Sequence, residues 1–267
     1  MKVGILLFSA AHKPWMFPFR GPVMLLAALG LLIGVLHPTP SRADAVAAGY
    51  DLFSTDASGT TFEGANFQGV PLGTYNFGGM IGVQNVGNTD TIVQRLSDVT
   101  TPGTTMLVMD ALQLETVAPT SLGGGPVGNY FITLQSTDGT GPASVGSMTI
   151  NSGPNTFSST LDVYFDVHFG SLNGAIVAQS NFILTSADTT WSHNTPAGSL
   201  LINGVNNLLD GTDTSQDFWP TPFTETESGA THTVDPASVP EPSVAIGLCT
   251  SLAGLGLVYL RQRKVKA

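Results

Sequence analysis

Residues 161–169 read LDVYFDVHF, an uninterrupted alternation. Leu161, Val163, Phe165, Val167 and Phe169 fall on one face of an extended chain; Asp162, Tyr164, Asp166 and His168 fall on the other. Side chains alternate across a strand, whereas a helix would scatter both sets around its axis. Such a run forms a strand with one face on a core. Shorter runs of the same kind occur at 81–86, 91–96, 130–135, 147–151, 176–184 and 200–202. The segment 105–117 contains good helix formers, MLVMDALQLE, but no polar helical face, and is read as a strand. Breakers at Gly123-Gly124-Gly125-Pro126, Asp138-Gly139 and Gly153-Pro154 separate the runs. No fixed-period repeat is present, which argues against a solenoid or propeller. The expectation is an all-β domain over 44–210, an antiparallel β-sandwich or jelly-roll-like ectodomain.

From 211 to 238 the apolar periodicity fades and Thr, Ser, Pro and acids dominate. This stretch reads as a Thr/Ser/Pro-rich acidic linker, with Phe218, Trp219 and Phe223 available to pack back on the domain. Asp210, Asp213 and Asp217 mark an oxygen-rich turn near its start. Calcium suits such ligands, but EF-hand spacing is absent and acidic loops also serve solubility. No other cofactor is expected.

Charge is partitioned along the chain. All nineteen acids lie between Asp44 and Pro242, and Arg95 is the only Lys or Arg among them, a formal charge of −18. Such a surface repels phosphate backbones and excludes nucleic acid as a partner. Arg95 is expected to form a structural ion pair, with Asp90 and Asp98 as candidate partners. Cys249 is the single cysteine, so no intrachain disulfide and no cysteine zinc cluster can form.

The first 22 residues carry Lys2, Lys13 and Arg20 and no acid, ahead of the apolar 23–36. A polar stretch ending in small residues follows. This is the pattern of a secretory signal peptide over 1–43, with cleavage after Ala43 or after Ala45.

No H-E-x-x-H or G-x-S-x-G occurs, and His168, His193 and His232 are the histidines of the middle region. Asp166 and His168 share a strand face about 7 Å apart. They are either part of a solvated face or a pair suited to metal ligation or acid–base work; alternation alone accounts for their placement, and the solvated face is the expectation.

The C-terminus has three parts. Val239-Pro240-Glu241-Pro242 is extended by its prolines. Residues 243–260 carry no charge and would make a helix about 27 Å long, near the ~30 Å of a bilayer core. Arg261, Arg263, Lys264 and Lys266 then supply a cytoplasmic stop. This 239–267 tail closely resembles the PEP-CTERM sorting signal. The resemblance implies a bacterium with an exopolysaccharide system, and recognition by exosortase through Pro240, Glu241 and Pro242.

The expectation is therefore an exported, non-catalytic cell-surface or extracellular-matrix protein. It would be membrane-anchored before processing and at the cell surface or released afterwards, in an exopolysaccharide or biofilm setting. The alternative is a carbohydrate-binding or adhesin-like module, favoured if aromatics such as Tyr164 or Trp191 line a groove. An extracellular hydrolase would need converging carboxylates or a histidine cluster in a pocket.

Overall fold

The computed structural model describes residues 45–153, 155–207 and 218–239. The expected signal peptide, the uncharged 243–260 stretch and the basic tail lie outside the described residues. Sixteen strands follow in order: β1 (Ala45–Val46), β2 (Gly49–Thr55), β3 (Thr61–Phe62), β4 (Ala65–Gly69), β5 (Gly73–Asn76), β6 (Val83–Gly87), β7 (Thr91–Arg95), β8 (Val99–Thr100), β9 (Gly103–Thr116), β10 (Tyr130–Leu134), β11 (Ser144–Ile150), β12 (Thr156–Phe169), β13 (Ala175–Ser192), β14 (Trp219–Pro220), β15 (Phe223–Glu227) and β16 (Ala230–Pro236). One helical turn, α1 (Gln135–Asp138), follows β10. Among the described residues no helix is long and apolar enough to cross a membrane.

Every pairing between these strands that involves β9 or β12 is antiparallel, and these two long strands organise the sheet. β10 and β11 lie end to end between them: β11 covers 103–109 of β9 and β10 covers 113–115. On its far edge β9 carries β7 and β4, which continue through β2 and β3 to β16. β16 pairs β15, β15 meets β13 at Thr226–Thr185, and β13 returns along the whole of β12. The path closes on itself as an eight-position, barrel-like antiparallel sheet. The all-β antiparallel expectation is met. The two stacked layers of a sandwich are replaced by one sheet that curls round its own core.

The alternation of 161–169 sets the wall. Leu161, Val163, Phe165 and Val167 are buried inside, where Phe165 meets Phe62 and Phe182 edge-on or tilted at 5.2 and 4.8 Å. The 105–117 reading as a strand is met by β9, with one change of face. A bulge opposite Ile92/Val93 lets Leu107 and Met109 point inward before it and Leu112 and Leu114 after it. Ala111 is thereby turned outward into a second, smaller core with Leu52, Val86, Ile92, Ile202, Val205 and Ala237.

Two expectations are corrected. Residues 200–202 form no strand. They are laid onto the second core by Asn206, whose side-chain amide donates to Leu200 O at 2.7 Å and whose Oδ1 accepts from Ile202 N at 2.9 Å. The side chain thus does the work of a strand partner. The linker expected over 211–238 is also not a linker where it is described: β14, β15 and β16 occupy 219–236 and close the sheet. The physical reason is threonine itself, a β-branched residue that suits a pleated surface. Thr61 pairs Thr231 and Thr224 pairs Thr233 through hydroxyl contacts at 2.9 and 2.7 Å across neighbouring strands. Ala230, His232 and Val234 meanwhile point inward.

Candidate functional site

Two polar clusters sit on opposite sides of the wall. The inner one follows from strand alternation. Asp51 on β2, Thr91 and Arg95 on β7, Ser159 on β12, Glu225 on β15 and His232 on β16 all take inward positions beside apolar neighbours. Ser159 Oγ donates to Glu225 Oε1 at 3.2 Å and lies 2.8 Å from Ser186 Oγ. Glu225 Oε2 is 4.0 Å from His232 Nδ1, and His232 Nε2 is 3.2 Å from Thr55 Oγ1. That hydroxyl donates to Asp90 Oδ1 at 2.6 Å, and Asp90 also accepts from Thr55 N and the Thr91 hydroxyl.

Burial dominates the electrostatics here. It pushes Glu225 up to about 7 and Asp90 to about 6, and drives His232 down to about 4. Between those values the carboxylic acid keeps its proton while the imidazole stays neutral. The cavity beside these groups is only about 30 Å³, room for water and not for an organic ligand. Ser159 bonds the carboxylate and not the imidazole, so the arrangement is not a serine–histidine–acid relay.

Arg95 closes one end of this interior. Its Nη1 is paired with Asp51, its Nε donates to Ala47 O at 3.0 Å, and its guanidinium lies 4.8 Å from the Phe218 ring centre. Burial pushes the Asp51 carboxyl up, and the guanidinium pulls it back down, the smaller of the two effects. The structural role expected for Arg95 has the geometry to support it, but the partners are corrected. Asp90 is held by hydroxyl and amide donors, and exposed Asp98 accepts from Ala48 N at 2.7 Å. Asp51 wins because it lies diagonally across on β2: Gly49, which has no side chain, stands opposite Arg95, and Asp51 is two residues on and on the same face.

The outer cluster sits over β10 and β12. Register places Thr133 opposite Asp166, and Phe131 opposite His168. After β10 the chain makes α1, ends it at Gly139 in the left-handed region (φ 69°), and folds back over the outer face of β12. Gln135 holds this return through its amide, which donates to Phe165 O at 3.0 Å. Asp138 is thereby brought to His168, with 3.2 Å between Oδ2 and Nε2. The Thr133 hydroxyl lies 2.5 Å from Asp138 Oδ2 and 2.7 Å from His168 Nε2. His168 Nδ1 is 3.1 Å from Gly174 O. Asp166, wholly buried, accepts from the Thr140 hydroxyl and from Gln179 Nε2. The expected solvated face is corrected at these two residues: the return loop covers them, and His168 is 4 % exposed.

The remaining expected positions divide simply. Pro240, Glu241, Pro242, Arg261, Arg263, Lys264, Lys266 and the calcium candidates Asp210, Asp213 and Asp217 lie outside the described residues. Trp191 is buried and stacked on Phe218 at 5.5 Å, so it lines no binding groove. The Tyr164 hydroxyl is occupied by Asp162 at 2.8 Å. Sequence reasoning missed Asp51, Asp138 and Glu225. Alternation in GYDLFST and FTETE pairs Asp51 with Phe53 and Glu225 with Phe223 on one face, a signal that was present. Asp138 had none, since an Asp-Gly turn does not say which strand it will cover. No family model, no curated protein and no solved structure matches the chain.

Proposed function

We propose that this chain is an exported, non-catalytic surface or matrix protein. Its β domain is delivered by a cleaved N-terminal signal and sorted by exosortase through Pro240, Glu241 and Pro242. The observation that carries the reading is the C-terminal order: Pro-Glu-Pro, eighteen uncharged residues, then Arg261, Arg263, Lys264 and Lys266. The partition of charge supports it, because eight of the nine basic residues flank the two apolar segments and the acidic domain lies between them. On this reading the 243–260 stretch is a membrane helix with the basic tail inside and the β domain outside.

The fold adds support through its edges. Among the described residues, β1 at Ala45–Val46 pairs β8, and Val239 N donates to Gly198 O at 3.3 Å. The residues next to the two proposed targeting segments are thus held by the β domain. Exopolysaccharide is the proposed setting, through the family resemblance. The experiment is fractionation of cells producing wild type or Glu241→Ala. The variant is expected to keep its tail and accumulate in the membrane. Equal processing and equal release of the two would overturn the sorting reading.

A further inference from the structure

The outer cluster brings two carboxylates and an imidazole together. Gly174 O can only accept, so His168 Nδ1 carries a hydrogen and Nε2 presents a lone pair in the neutral ring. That lone pair faces Asp138 Oδ2 at 3.2 Å and the Thr133 hydroxyl at 2.7 Å. The single hydroxyl proton of Thr133 cannot serve both the imidazole and the carboxylate 2.5 Å from it. Asp166 adds a second carboxylate with no exposure to water. No Lys or Arg is at hand, because Arg95 is the only one in the domain and is committed to Asp51. Two carboxylates and an imidazole nitrogen thus converge with no Lys or Arg to balance them.

We propose that Asp138, Asp166 and His168 Nε2 bind a divalent transition-metal ion of the zinc class. Their ligand atoms all lie within 4.8 Å of one another. In a tetrahedral site with bonds of about 2.0 Å, neighbouring ligand atoms are about 3.3 Å apart, close to the separation between Asp138 and His168. One imidazole with two carboxylates suits zinc, manganese or ferrous iron; calcium prefers six or more oxygens and no nitrogen. The second layer is also in place. Gly174 O fixes the imidazole tautomer, and Thr140 and Gln179 orient Asp166. The Asp138 side chain, 26 % exposed while the His168 side chain is nearly fully buried, gives the ion its way in. The bound ion ties the 135–141 return to β12. The site is independent of the sorting reading.

The test is zinc retention by the tag-free full chain after chelator stripping, equilibrium dialysis against micromolar zinc, manganese or calcium, and elemental analysis. The wild type is expected to hold about one zinc per chain and to melt higher with it. Asp138→Asn, a change at the exposed ligand, is expected to keep the wild-type circular dichroism and lose at least about tenfold in zinc affinity. His168→Gln and Asp166→Asn are expected to lose it too. Equal zinc retention by wild type and Asp138→Asn would overturn the site, as would no retention by the wild type. Retention of calcium alone would overturn the transition-metal class.

Discussion

Replacing Glu225 by Gln should make the protein relatively more stable at alkaline than at acidic pH. The carboxyl is buried beside Phe223 and His232, and burial raises it from 4.5 to about 7. A group raised in the folded state holds its proton more tightly there than in the unfolded chain. Its stabilising contribution is complete below about 4.5 and is lost as pH climbs through about 7. The span of roughly 2.5 units, at about 1.4 kcal/mol each, sets an order of magnitude of about 3.5 kcal/mol. Gln cannot ionise and keeps a donor where the protonated acid has one, so it removes this loss. It leaves the opposite contribution of His232, whose pKa is lowered to about 4; that stability is present above 6.5 and fades as pH falls toward about 4. Asp90 and Asp51 titrate in both proteins and cancel in the difference. Urea unfolding of wild type and variant at about pH 4.5 and about pH 8 measures it. The variant's stability relative to wild type should rise by some 2–3 kcal/mol between the two. An unchanged difference, or one that favours the variant at low pH, would refute the buried-acid argument.

Arg95→Met should destabilise by about 3–5 kcal/mol in urea, since it strands the Asp51 carboxyl without its cation, and Asp51→Asn in the same chain should restore part of the loss; unchanged stability of the single variant would remove the structural role. If the proposed signal peptide is cleaved, N-terminal sequencing of the mature protein should begin at Asp44, following cleavage after Ala43. Cleavage after Ala45 would start the chain at fully buried Val46 and delete half of β1, so a Val46 start would count against this.

How far the fold could be read depended on where the apolar signal was continuous. The 161–169 part of β12 was legible because both of its faces are uniform there: Leu161, Val163, Phe165 and Val167 inward and polar residues on the other face. β9 was legible as a strand, but not its change of face, because a bulge is decided by pairing with β7 and leaves no mark in the composition. β15 and β16 were obscured for a different reason. Their inward positions mix Phe223, Ala230 and Val234 with Glu225 and His232, and their outward positions are threonine and Asp235, so the segment has the composition of a linker and the alternation of a strand. The outer cluster was half legible. Asp166 and His168 share a face by period two, whereas Asp138 reaches them only because α1 and Gly139 fold the chain back.

The same composition explains why the interior is chemically unusual. A domain with one Arg and no Lys cannot neutralise several buried acids by ion pairing. Asp51 takes the only guanidinium. Asp90 instead collects the hydroxyls of Thr55 and Thr91 and the Thr55 amide, and Glu225 takes the Ser159 hydroxyl. Burial outweighs these donors, as it outweighs the guanidinium at Asp51, and both acids are pushed up, to about 6 and about 7. The abundance of Thr therefore has two consequences: it supplies strand residues, and it supplies the uncharged donors that let acids stay inside. Asp166 is the extreme case, with a hydroxyl and an amide as donors and no exposure. Where side chains offer no cation and hydroxyls do not suffice, the charge must come from a proton or from an ion. The interior acids fit the first solution, and the ion proposed beside His168 Nε2 would be the second.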